Sequence, residues 1–349
     1  MLVLAGLVKL FSLFPAAVEK YYSNGVYPPM TRAMRWLLGW LPFSVGDLLY
    51  TAAGIWLLVK GVNFLRAVIK RKAGAFFWWN GLRWLAFYCL WVYAVFNILW
   101  GLNYNRLGTA YQLQLQLKPY TTAELQQVME VIVQRLDSSS TKSMATRNNY
   151  LHKKQLFTGA FQAYRQASTQ YPSLIYGTES VKPSLFSYLG NYMGYTGYYN
   201  PFTGEAQVNT TVPVFLQPFT ACHEMGHQLG YAKENEANFA GYLSAKSSTD
   251  PAFTYSVYFD LYSYGIRELY ARDSVQAIAL SKQKPLQVKK DIIALRQFFD
   301  AYENPVEPYI RKIYGQYLRA NEQPSGMQSY NEVMAFLVAY YKKYGPGAL

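Results

Sequence analysis

The chain reads as an α+β protein, mostly helical, in which N-terminal transmembrane helices precede a second unit with a small β-sheet. Three observations predict this. Apolar and aromatic stretches long enough to cross a bilayer fall only in the first hundred or so residues. Later segments repeat apolar residues at helical period, and a single stretch, residues 194–209, carries hairpin signals. Residues 223–227 read His-Glu-Met-Gly-His in a chain with only three histidines. The expected organisation is a membrane anchor of about three spans over residues 1–104, then a domain over residues 105–349.

The spans come first. Trp84 to Leu102 is almost wholly apolar, long enough to cross the hydrocarbon core at about 1.5 Å per residue. Another runs from about Val45 to Leu65, with Asp47 near one end and Lys60 placed to snorkel at the other. Met1 to Val18 is read as an uncleaved anchor, interrupted by Lys9 and with Pro15 near its end; a signal peptide would carry a basic leading region. Arg66, Lys70, Arg71, Lys72 and Arg83 crowd the connector between the second and third spans, against Lys20, Arg32 and Arg35 over a longer loop. Basic connectors stay in the cytoplasm, so a multi-pass protein of the plasma (inner) membrane is expected, with everything after residue 104 extracytoplasmic. The net charge of +13 partly records this topology, and no basic stripe interleaved with aromatics suggests nucleic acid.

In the second unit, Thr121 or Thr122 is expected to cap a helix through about Leu136, with Leu125, Val128, Ile132 and Leu136 on its apolar face. Asp137 to Thr141 reads as a loop, and another helix as about Lys154–Tyr171. Asn200-Pro201 and Thr203-Gly204 are turn signals for a hairpin whose second strand covers about Glu205–Asn209. An edge strand there could pair with extended peptide. Helical patterns recur at about 237–246, 255–272, 288–302, 305–320 and 329–344.

Pro218 and Gly230 bracket a helix over about residues 218–229, proline at its first turn and glycine past its end. Residues four apart share a helix face, so His223 and His227 can aim two imidazole nitrogens at one point. Glu224, rotated off that axis, reaches a water held there. Two histidine ligands flanking a general base form the H-E-x-x-H arrangement for one Zn2+ ion, which needs a third protein ligand. His152 is expected to be exposed, and Cys89 and Cys222 unpaired, with Cys222 a small buried side chain rather than a ligand.

Downstream, Glu234-Asn235-Glu236-Ala237-Asn238 resembles the gluzincin pattern Glu-x-x-Ala-Asp, with Asn for the usual Asp. That resemblance implies Glu234 as the third ligand and Asn238, one turn on, as the residue that orients it; Glu236 is the alternative. It also implies a zincin-like metallopeptidase domain. The segments Val18 to Pro28, Leu41 to Asp47, Cys222 to Gly230 and Glu234 to Phe239 are similar to a bacterial membrane family catalogued as a domain of unknown function. The expectation is a membrane-anchored zinc metallopeptidase that cuts peptide bonds in peptide or protein substrates, with the lipid bilayer as its other partner. Tyr231, Tyr242 and the tyrosines at 192–199 are candidates to stabilise the oxyanion. The alternative is a catalytically inactive metal-binding membrane scaffold. A transport component is disfavoured because the spans lack charged, broken helices.

Overall fold

The computed structural model describes residues 1–70 and 74–349; Arg71 and Lys72 of the basic connector lie outside the described residues. The molecule is mostly helical, with one three-stranded sheet.

Two helices, Val45–Ile69 and Ala75–Leu99, are long and apolar enough to cross a membrane. At 25 residues each, they extend about 37 Å, more than a hydrocarbon core of about 30 Å. Their apolar side chains point outward, with Leu58 68% and Trp79 61% exposed. Outward apolar surface of this extent suits lipid rather than water. The later helix starts at Ala75, nine residues before the expected Trp84, and stops at Leu99, where Trp100 leaves helical geometry. The first segment differs more. Leu2–Ser12 is a separate helix, too short to span, and it meets Pro15–Leu38 at a 95° bend. Pro15 explains the break, because its ring lacks the N–H that would continue the helix. Among the described residues, the helices long and apolar enough to cross number two, or three if this bent pair counts as one.

Thr122–Thr146 begins with a capping box, Thr121 and Glu124 each bonding the other's backbone. Leu125, Val128, Ile132 and Leu136 are fully buried, as the helical period requires, and each contributes about 1.5–3 kcal/mol. The loop expected at Asp137–Thr141 is instead helix. Its serines bond back to carbonyls three or four residues earlier, Ser138 and Ser139 to Arg135 and Ser140 to Asp137, so their hydroxyls need no outside partner. Serine and threonine had looked like breakers; tertiary burial of Ser139, Ser140 and Ser143 overrides that tendency. This helix packs along Pro251–Arg272, with Lys153–Ser168 and Val333–Tyr344 completing the core. Ser274–Lys282 is a short helix that the patterns did not anticipate.

The hairpin forms as expected. Strand β2 (Gly197–Asn200) pairs antiparallel with β3 (Glu205–Val208), and Asn200 closes the turn by accepting from Phe202 N and Gly204 N. An unanticipated strand, β1 (Val181–Pro183), pairs parallel with β3, so the order is β1-β3-β2 and β2 is an edge. Three residues carry too little alternation to be seen as a strand.

Residues 18–47, expected within the anchor, are interleaved with the later chain. Glu205 on β3 accepts from Lys182 Nζ at 2.6 Å and from Gly46 N at 2.6 Å, setting a carboxylate at the positive end of the first spanning helix. Glu19 and Arg106 form a buried ion pair at 2.9 Å. The membrane-length helices and the region of the histidine motif thus share one framework.

Candidate metal centre

Gln217–Gln228 carries the histidine pair, and every residue of it is buried. Pro218 lies in its first turn, and Gly230 takes the left-handed φ of +85° just past its end. The last carbonyls of a helix have no partners within it, and here distant residues supply the donors. Trp100 Nε1 donates to His227 O at 3.3 Å, Tyr27 Oη to Gln228 O at 3.1 Å, and Arg106 Nη1 to Gly230 O at 3.1 Å. Glu234–Lys246 then packs against the motif helix, with Glu234 in its first turn. Gly241 permits that approach, since a side chain there would press on the His223 backbone at 3.1 Å.

The two imidazole rings stand 4.7 Å apart, nearly perpendicular. Glu234 Oε2 lies 3.3 Å from His223 Nε2 and 3.4 Å from His227 Nε2. Two arrangements can be compared with those separations. A direct charged hydrogen bond is about 2.7–2.9 Å, whereas ligands about 2.0–2.1 Å from a tetrahedral zinc sit about 3.3 Å from one another. The spacing matches the cage. Glu234 Oε2 is moreover a buried oxygen without a hydrogen-bond partner, as an atom aimed at a cation should be. His223, Glu224 and His227 also bring one ligand atom each within 4.8 Å of one another. Of the two glutamates, Glu234 is the one with an oxygen nearly equidistant from both Nε2 atoms.

Neighbouring groups hold this arrangement. His227 Nδ1 faces Tyr231 O at 2.8 Å, which presents Nε2 to the centre. Tyr314 Oη donates to Glu234 Oε1 at 2.8 Å, leaving Oε2 free. Asn238 donates to Tyr330 O at 3.2 Å rather than to Glu234, and the Tyr330 ring stacks on His223 at 6.2 Å. Burial alone would raise the Glu234 carboxyl, but the facing imidazoles outweigh it and hold the group well below the usual carboxylate range. Burial pushes Glu224 up to about 8, against the pull of His227. Glu224 lies against β2 at Gly197, where an added Cβ would come within 2.6 Å of its Oε1.

Glu236 is buried elsewhere. Its Oε1 presses on Gly108, a residue with φ +75° where an added Cβ would sit 1.7 Å away. Tyr231 bonds Gln112 and Ser173, and Tyr242 is packed among core aromatics, so neither faces the centre. Among the tyrosines at 192–199, Tyr199 approaches, its ring 6.3 Å from His227. His152 is exposed; Cys222 is buried and unpaired, and Cys89 lies exposed on the helix Ala75–Leu99. Tyr314, Tyr330, Trp100 and Gly197 were missed, because no local signal picks two tyrosines out of 33.

What the structure defines is a helical protein with two membrane-length helices and a buried His/Glu cluster able to hold a metal ion. The chain belongs to the family described as "Protein of unknown function (DUF3810)", whose model matches residues 22–338. No curated protein and no solved structure matches it.

Proposed function

We propose that this protein is a membrane-anchored zinc metallopeptidase with a zincin-like domain of gluzincin type. The observation that carries the reading is the placement of Glu234 Oε2 at 3.3 and 3.4 Å from the two imidazole nitrogens, beside a glutamate that shares their helix. His223, His227 and Glu234 hold the ion, and Tyr314 orients Glu234. The ion, when bound, polarises the scissile carbonyl and lowers the pKa of a water toward about 7. Glu224 accepts a proton from the attacking water and returns it to the leaving amine. Tyr314 and Tyr330 line one cavity with His223, Glu224, His227 and Glu234 and are candidates to stabilise an oxyanion. Strand β2, an edge, offers backbone groups to an extended peptide. The basic connector supports a site on the outer side of the plasma membrane.

Two experiments bear on it. Glu234→Ala is expected to lower zinc affinity by about 10²-fold or more, while Glu236→Ala leaves it near wild type, measured as zinc per chain after competition with a chelator. Equal retention in the two variants would remove Glu234 as ligand. Incubating the zinc-loaded, full-length protein with a peptide library should produce new termini that vanish with chelator. A fully loaded protein that produces none would favour the scaffold alternative.

A further inference from the structure

The candidate centre is not a cleft in a free-standing domain. One cavity of about 1420 Å³ is lined both by His223, Glu224 and Glu234 and by side chains of the two spanning helices, among them Ala53, Leu85 and Val92. From Leu85 to Trp100 the lining follows one helix for about 22 Å, most of the depth of a hydrocarbon core. The wall there is apolar and aromatic, and its residues face outward, Leu85 at 61% and Val92 at 47% exposed. Trp100, where that helix ends, donates to His227 O. The candidate centre therefore sits at the end of a membrane-length helix, and the cavity runs from it along both helices, whose Trp56 and Tyr88 rings meet at 5.6 Å.

We propose that the substrate is a membrane-embedded polypeptide, whose apolar segment lies along the outward apolar surface of the two membrane-length helices while the bond beside that segment reaches the centre; this rests on the peptidase reading above. A water-soluble chain would meet the apolar wall with unsatisfied backbone groups, at several kcal/mol each. An apolar helix satisfies its own backbone and fills the wall with side chains. At the level of the centre a different surface takes over. Asn209 N donates to Thr196 O, so along the antiparallel pair Thr196, Tyr198 and Asn200 face β3, and the backbone groups of Gly197 and Tyr199 turn outward. Those outward groups suit an extended peptide, which is why a polypeptide rather than a lipid is the occupant. The substrate would be helical within the bilayer and extended for the few residues between the bilayer and the metal. Cleavage adds one water across one peptide bond, yielding a carboxylate and an amine.

The test uses full-length, zinc-loaded protein in phosphatidylcholine and phosphatidylglycerol vesicles. One randomised peptide library is supplied in three forms: free, joined by a flexible spacer to a lipid headgroup, or joined to a 20-residue leucine-alanine transmembrane helix. At equal surface density the helix-joined library should be cut at least about tenfold faster than the lipid-linked one, at bonds within about five residues of the helix. Ala53→Trp and Val92→Trp, which put bulk into the cavity, should each lower that ratio at least about fivefold. Equal cutting of the two anchored forms, or a ratio that neither substitution moves, would overturn the inference while the peptidase reading stands. Failure of wild-type protein to cut any of the three would remove both.

Discussion

Replacing Glu224 by Gln is expected to leave zinc bound and to slow peptide hydrolysis by about 10²–10⁴-fold, the usual contribution of a positioned general base. Glutamine keeps the shape of the side chain, so its fit against Gly197 of β2 is preserved. What disappears is the proton acceptor. The imidazole nitrogens and Glu234 Oε2 are untouched, and they suffice for the ion. The measurement pairs zinc content per chain with the rate of chelator-sensitive cleavage. Loss of zinc would show that Glu224 is itself a ligand, an arrangement its proximity to both histidines allows. Unchanged turnover would show that the base lies elsewhere.

Arg106→Ala should be strongly destabilising, costing about 3–5 kcal/mol. Its guanidinium is 2% exposed and grips both oxygens of Glu19, at 3.0 and 2.9 Å. Truncation leaves the Glu19 carboxylate buried without its counter-charge. It also removes the donor to Gly230 O at the end of the motif helix and the cation over the Tyr231 ring. Since Tyr231 O faces His227 Nδ1, zinc affinity should fall along with thermal stability. Unfolding in detergent micelles, followed with and without zinc, checks both. The double replacement Arg106→Met with Glu19→Leu should recover most of the stability, because it leaves no unpaired charge. A single variant as stable as wild type would mean that water reaches the Glu19 carboxylate.

Much of the architecture was legible from local pattern. Val45–Ile69 announces itself by a run of apolar residues, and Thr122–Thr146 by Thr121, Glu124 and a helical repeat of Leu and Val. Both signals belong to neighbours along the chain, where spacing alone dictates which side chains share a face. The Asp137–Thr141 error has the opposite origin. Serines are ambiguous until it is known whether their hydroxyls meet water or the carbonyl of the preceding turn. Strand β1 was invisible because its three residues gain meaning only by pairing with β3.

The sequence by itself determined that two imidazoles and a carboxyl occupy consecutive turns of one helix, and that apolar spans precede them. Helical geometry imposes the first and the bilayer's thickness the second, and neither depends on distant residues. Only the tertiary structure decided that Glu234 faces the imidazoles while Glu236 turns to Gly108, that Tyr314 holds Glu234, and that Trp100 brings a spanning helix against the motif. Those choices rest on packing between segments up to about 130 residues apart, where spacing along the chain carries no directional information.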